Sequence, residues 1–274
     1  MTATPVAVSP DWLALREPAD AAARAADLVE VLRPWLAGDE LTIIHDLGCG
    51  TGSMGRWLAP QLAGPQHWLL YDRDPELLAR AAENAPDASA DGAPVTVETR
   101  QRDITRLSRD ELAGASLITA SALLDMLTAD EVGRIAASCI AAGCPALLTL
   151  SVVGVVEMTP ADPLDWTIAE AFNLHQRRTS GDRRLLGPDA VEATIDMFGR
   201  LGGDVHVRPS PWRLDAATAA LAAEWLTGWV DAACEQRLEL TEAALDYRER
   251  RLATAAAGQL AVTLHHLDIL VRPR

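Results

Sequence analysis

The stretch "HDLGCGTGSMGRWLAP", residues His45–Pro60, crowds Gly48, Gly50, Gly52 and Gly55 into eight positions directly after the apolar run Leu41–Ile44. An apolar run, a glycine cluster and then an amphipathic segment predict a strand, a tight turn and a helix. Glycine serves such a turn in two ways: it admits positive φ, and it lets backbone N–H groups come close to a ligand. Nicotinamide-binding folds use G-x-G-x-x-G, with the pyrophosphate on the helix N-terminus. Here the spacing is G-x-G-x-G, preceded by Asp46, which disfavours a nicotinamide oxidoreductase.

Working outward, short apolar runs predict strands near 41–46, 67–72, 94–99, 115–120 and 145–152. Between them lie predicted helices near 53–63, 75–84, 108–113 and 129–142. This alternation marks an α/β chain with a parallel sheet and helices on both faces. Before the first strand, 3.6-residue periodicity predicts a helix over 19–36, preceded by a short helix that Pro18 ends. Polar, proline- and glycine-bearing sequence from 154 to 188 surrounds a predicted helix at 163–176. A helix at 189–200, a strand at 204–208, helices at 215–232 and 237–257 and a strand at 260–271 follow. The expectation is one domain over 1–274, with an N-terminal helical segment (1–40), a core (41–152) and insertions roofing a pocket (153–190 and 212–258).

Composition narrows the function. A net charge of −15 counts against a nucleic-acid partner, because phosphate binding needs a basic surface. The chain contains no lysine, which rules out Schiff-base and phosphate-loop lysine chemistry. Cys49, Cys139, Cys144 and Cys234 lack metal-ligand or disulfide-framework spacing, as expected of reduced thiols. Met1–Pro10 lacks the basic segment and apolar core of a signal peptide, and no apolar run reaches membrane-spanning length. A cytoplasmic, soluble protein is expected.

Four stretches in order resemble the class I S-adenosylmethionine-dependent methyltransferases. They are the glycine motif with Asp46; "LLYDRDPELLARA", with Asp72, Pro75 and Leu78 in a D-x-x-P-x-x-L pattern; "VETRQRDITRL", with Asp103; and "ASLITASALLDMLTADE". The resemblance covers about residues 40–210, and more weakly the rest. It implies a Rossmann-like, seven-stranded, mostly parallel sheet with an antiparallel last hairpin, and S-adenosylmethionine as cofactor. By the same resemblance Asp46 faces the cofactor's amino group, and Gly48, Cys49, Gly50 and Gly52 offer backbone. Asp72, with Arg73 beside it, receives the ribose hydroxyls. Asp103 receives the adenine amino group, Ile104 packs on the ring and Ser121 faces the methyl donor. An N-terminal helix folding over the cofactor would bring Arg16 or Arg24 to its carboxylate; an ion-paired surface role is the alternative for both. Gly55 is assigned to helix packing and Asp74 to a helix cap.

The acceptor side is less defined. The Asn/Asp-Pro-Pro-aromatic motif of amino methyltransferases is replaced by "ASALLD", and the Cys144-Pro145 pair runs opposite to the Pro-Cys order of cytosine chemistry. No cluster of acids calls for a metal. His175, within a polar group with Asn173 and Gln176, and Asp125 are the candidate catalytic bases. Asp162 and Asp165 are expected as helix caps. Trp225 and Trp229 share a helix face, read first as a packed interface and second as an aromatic substrate wall. Of His265 and His266, alternating on the last strand, one is expected to point inward for packing. Together these readings predict in-line methyl transfer to a small-molecule acceptor, at oxygen. An RNA or protein substrate, or a scaffold that binds the cofactor without transfer, are the alternatives. Neither oligomeric state nor acceptor identity is legible.

Overall fold

Strand β1 (Thr42–Leu47) is buried at every residue but Ile43, because it is paired on both sides and covered on both faces, the setting in which strands read as continuous apolar runs. In this computed structural model, which describes residues 8–36 and 40–273, it pairs in parallel with β2 (Gln66–Asp72) and β4 (Leu117–Ser121). Beyond them lie β3 (Val95–Gln101), β5 (Ala146–Thr159), β10 (Ala261–Arg272) and β8 (Asp204–Pro209), in the order β3-β2-β1-β4-β5-β10-β8. β10 runs antiparallel to both its neighbours. The strand order reverses at β1/β4, which opens a crevice at the strand ends, where ligands bind in doubly wound sheets.

The seven expected strands are joined by an eighth, β9 (Trp212–Leu214), which pairs with Val262–Leu264 of β10. β5 also outruns the prediction by seven residues. Its outer half alternates between half-buried and exposed positions and pairs with the start of β10, so the insertion begins after Thr159 and not at 153. Leu150, inside β5, takes φ 56° beside a register shift.

The helices pack on both faces. Leu28, Val29 and Leu32 of α2 (Ala26–Leu36) join Ile44, Met54, Leu58 and Trp68 on one face. Leu47, Tyr71 and Ile118 meet Ile135 of α5 (Ala129–Ala142) and Phe198 of α7 (Ala190–Arg200) on the other. α3 (Ser53–Leu58) follows the glycine turn, and α4 (Pro75–Glu83) follows β2, capped by Asp74. A third core joins α6 (Asp165–Gln176), α8 (Ala219–Gln236) and α9 (Thr241–Ala256) to β9 and the upper half of β10. A short hairpin, β6 (Thr179–Ser180) and β7 (Arg183–Arg184), follows α6; the sequence reading missed it.

Pro18 does not end the first helix. α1 (Pro10–Ala23) runs through it, and the break falls at Arg24 instead, whose backbone is extended (φ −55°, ψ 135°). Tertiary contacts make the break: the N–H of Ala25 donates to Asp268 Oδ2 at 2.8 Å, and the Arg24 side chain turns inward. Asp268 is fully buried, and its other oxygen accepts from the N–H of Leu150 at 2.7 Å. The segment predicted as a helix at 108–113 is a single 3₁₀ turn, Asp110–Leu112.

Candidate active site

The strand ends, α1 and the α6/α8 roof border an open cavity of about 1220 Å³. At one end Gly48, Gly50 and Gly52 all have positive φ (65°, 55° and 84°), which no L side chain adopts without strain. A Cβ at Gly50 would also lie 3.2 Å from Leu13, and one at Gly52 3.3 Å from Ala81, so protein contacts keep these two positions bare. The turn holds the end of β2: Cys49 N–H donates to Tyr71 O at 2.9 Å, and Gly50 N–H donates to Asp72 Oδ2 at 3.0 Å. With Asp74 N–H on Oδ1 at 3.0 Å, the Asp72 carboxylate is fixed at the cavity wall. The Cys49 thiol is buried, and burial pushes its pKa far up, so it is inert and contributes backbone.

Asp46 is 1% exposed. One oxygen accepts from Thr119 Oγ1 at 2.7 Å across the β1/β4 pair, whereas Oδ2 has no partner. Burial pushes its pKa up to about 7, against the Thr119 bond and the nearby Arg24 charge. Asp103 caps a short 3₁₀ turn, accepting from Thr105 N–H (3.0 Å) and Oγ1 (2.7 Å). Burial acts to raise its pKa, but these bonds prevail and hold it below the usual carboxylate range. Ile104 and Arg73 line the cavity beside it.

Past β4, Asp125 lies in the 3₁₀ turn Leu124–Met126 and also lines the cavity. Gln176 Nε2 of α6 donates to its Oδ2 at 3.3 Å, and burial raises its pKa to about 6. Ser121 lines the wall but is engaged: Arg24 Nη2 and Thr149 Oγ1 both meet its Oγ at 3.1 Å. Arg16 grips Asp20 with two bonds (2.9 and 3.1 Å) and lies 5.0 Å from the Trp212 ring centre. The far end is aromatic: Trp12, Phe172, Trp212, Trp225 and Trp229 face it with His266.

Residues 44–143 match the family model of a methyltransferase domain. No curated protein matches the sequence. Among solved structures, the cyclopropane synthase MmaA2 from Mycobacterium tuberculosis shares the fold at a TM-score of 0.53 and 14% identity, covering 97% of this chain and 95% of its own. A SAM-dependent methyltransferase from Methanosarcina mazei does so at 0.50 and 11%, covering 90% and 96%. Over residues 44–143 the chain carries a methyltransferase domain, on a fold shared with S-adenosylmethionine-dependent methyltransferases.

The residues present suit S-adenosylmethionine, the cofactor that the sequence resemblance implies. A buried carboxylate oxygen without a partner, Asp46 Oδ2, lies where a cationic amino group would satisfy it. The fixed Asp72 carboxylate has lone pairs left for hydroxyls. Gly48, Cys49, Gly50, Asp72, Arg73, Asp103, Ile104, Ser121 and Arg16 border the same cavity with Asp46, although the Ser121 oxygen and Arg16 have protein partners already; Gly52 lies outside the lining and faces Ala81 instead. Arg24 is not the surface residue that was the alternative: it is 4% exposed, behind the wall, donating to Ser53 and Ser121 with its face over Trp57.

Of the two candidate bases only Asp125 reaches the cavity. His175 lies outside its lining and turns to α8, with Nδ1 3.9 Å from Glu235; its neighbour Gln176 faces inward instead. Asp165 accepts from the Tyr247 hydroxyl at 2.7 Å and pairs with the buried Arg251, while Asp162 pairs with Arg250 and caps Leu164. Both acids therefore bolt α6 to α9. The tryptophans of α8 are more than a packed interface, since they also form cavity wall. His266, Phe172 and Trp12 were missed as site residues; the sequence signal for the last two was only that tryptophan is frequent here and other aromatics scarce.

Proposed function

We propose that this methyltransferase acts at the oxygen of a small molecule, with Asp125 as the base. One observation carries the reading: a carboxylate raised to about 6 by burial lies in the cavity and is oriented by Gln176. Such a group is ionised at neutral pH yet more basic than an exposed carboxylate, as a general base should be. When bound, S-adenosylmethionine supplies a methyl group on a sulfonium, which needs no further activation. The protein's tasks are then to align the hydroxyl oxygen and to take its proton. The cavity beneath α6 and α8 suits a small acceptor, and a chain of net charge −15 presents little to attract RNA.

The test is to incubate the protein with methyl-labelled cofactor and a metabolite extract of its source cells, then separate small molecules from macromolecules. Label in an oxygen-methylated small molecule, lost in Asp72→Ala, is the expected result. Label confined to RNA or protein overturns the substrate class. Cofactor binding without any label points to a protein that has kept the fold and lost transfer.

A further inference from the structure

Eight tryptophans, two phenylalanines and two tyrosines are all the chain possesses, and five of these twelve rings line one end of one cavity. They arrive from α1, α6, β9 and α8, elements distant in sequence. Trp225 and Trp229 stack at 5.1 Å with a 25° interplanar angle, and Phe172 tilts against Trp229 at 6.4 Å. On the other side Trp12 tilts against Trp212 at 6.3 Å, and His266 meets Trp212 edge-on at 5.6 Å.

Packing alone would explain apolar bulk but not the polar atoms left over. A buried indole N–H or imidazole nitrogen normally finds a partner, and the protein's other deeply buried tryptophans obey: Trp68 Nε1 donates to Gln66 at 2.9 Å and Trp212 Nε1 to Asp20 at 3.0 Å. Among the described residues, three ring nitrogens of cavity-lining residues depart from this: Trp229 Nε1, His266 Nδ1 and His265 Nε2 lack a hydrogen-bond partner, and of these only His265 has an acid beside it, with Glu157 at 3.5 Å. Burial lowers the His266 pKa to about 4, so the ring is neutral and offers one donor and one acceptor nitrogen.

We infer that this end of the cavity binds a planar, hydroxylated aromatic acceptor, whose ring packs on the Trp225/Trp229 side and whose polar substituents satisfy Trp229 Nε1 and His266 Nδ1. The inference rests on the oxygen-transfer reading and names its substrate class. The base on which that reading rests fits such a substrate. A ring-borne hydroxyl ionises near a pH of about 10, well below an aliphatic hydroxyl, so a carboxylate such as Asp125 is better matched to the former. Transfer forms the bond between the aryl oxygen and the methyl carbon and breaks the carbon–sulfur bond, whose electron pair stays on sulfur. The hydroxyl proton passes to Asp125 and from there to water.

The experiment titrates the protein, saturated with S-adenosylhomocysteine, with 2-naphthol and with its saturated counterpart 2-decalol by calorimetry, then offers both with labelled S-adenosylmethionine. The expected result is binding of 2-naphthol about tenfold tighter than 2-decalol, as ring–ring contacts provide. Trp229→Phe keeps a ring and loses the N–H, and should weaken 2-naphthol about three- to tenfold. Trp225→Leu should weaken it by about tenfold. S-adenosylhomocysteine affinity within about twofold of the parent shows that both variants are folded. Equal binding of the two probes, or 2-naphthol binding untouched in both variants, overturns the inference while leaving oxygen transfer standing. A tenfold preference for 2-naphthol with no oxygen-methylated product from any hydroxyl compound overturns oxygen transfer and leaves the aromatic site supported.

Discussion

At one end of the cavity two backbone N–H groups hold Asp72 and a turn of three positive-φ glycines borders the wall; at the other, five aromatic side chains from four separate elements meet. The first end draws its polar contacts from backbone and from single carboxylates at strand termini, so its shape follows from the sheet itself. The second draws its shape from side chains on helices added to the sheet. A cofactor site built by the fold tolerates little change of sequence in the turn, whereas an acceptor site built from side chains can be altered without touching the sheet.

The comparison can be broken most directly at the group between the two ends. Asp125→Asn removes the base and should lower kcat by about 10²- to 10⁴-fold, with S-adenosylhomocysteine affinity unchanged by calorimetry; a matching loss of cofactor affinity would assign Asp125 to the cofactor end. Next in size, Asp72→Ala should weaken the cofactor about 100-fold, since bonds to a charged carboxylate are worth about 1.5–3 kcal/mol each, and a binding isotherm reads this directly. Acidification should come third. With a pKa raised to about 7, Asp46 is ionised above that pH and neutral below it. Its attraction for an ammonium is thus present at pH 8 and lost on descent through 7, by up to about tenfold per pH unit. Titrations at pH 8, 7 and 6 should show the fall, and Asp46→Asn should flatten it. The smallest effect belongs to His175→Ala. Half-buried outside the cavity beside Glu235, it should change kcat/KM by less than about twofold in steady-state assays.

The same division decides what was legible in the sequence. Asp46, Asp72 and Asp103 come to border one cavity because each stands within two residues of a strand end, and a doubly wound sheet brings such points together. The aromatic end depends on contacts between chain segments far apart, which periodicity does not carry. α6 shows the difficulty: neighbouring helical residues point about 100° apart, so choosing His175 over Gln176 needed knowledge of which face Ile168 and Ala171 bury. Pro18 misled for a related reason. Its local signal for a helix end was outweighed by a buried carboxylate from the last strand, which set the break at Arg24 and Ala25.

That carboxylate, Asp268, binds the amide that opens α2 and the amide of left-handed Leu150 in the middle of β5. The two amides lie far apart in the chain, yet they share one anchor, so neither can open to solvent without the other's lock being disturbed. In deuterium labelling they should exchange as a pair. Leu150 also lines the cavity, so the entrance of the N-terminal helices and the wall beneath the substrate are expected to soften on one clock.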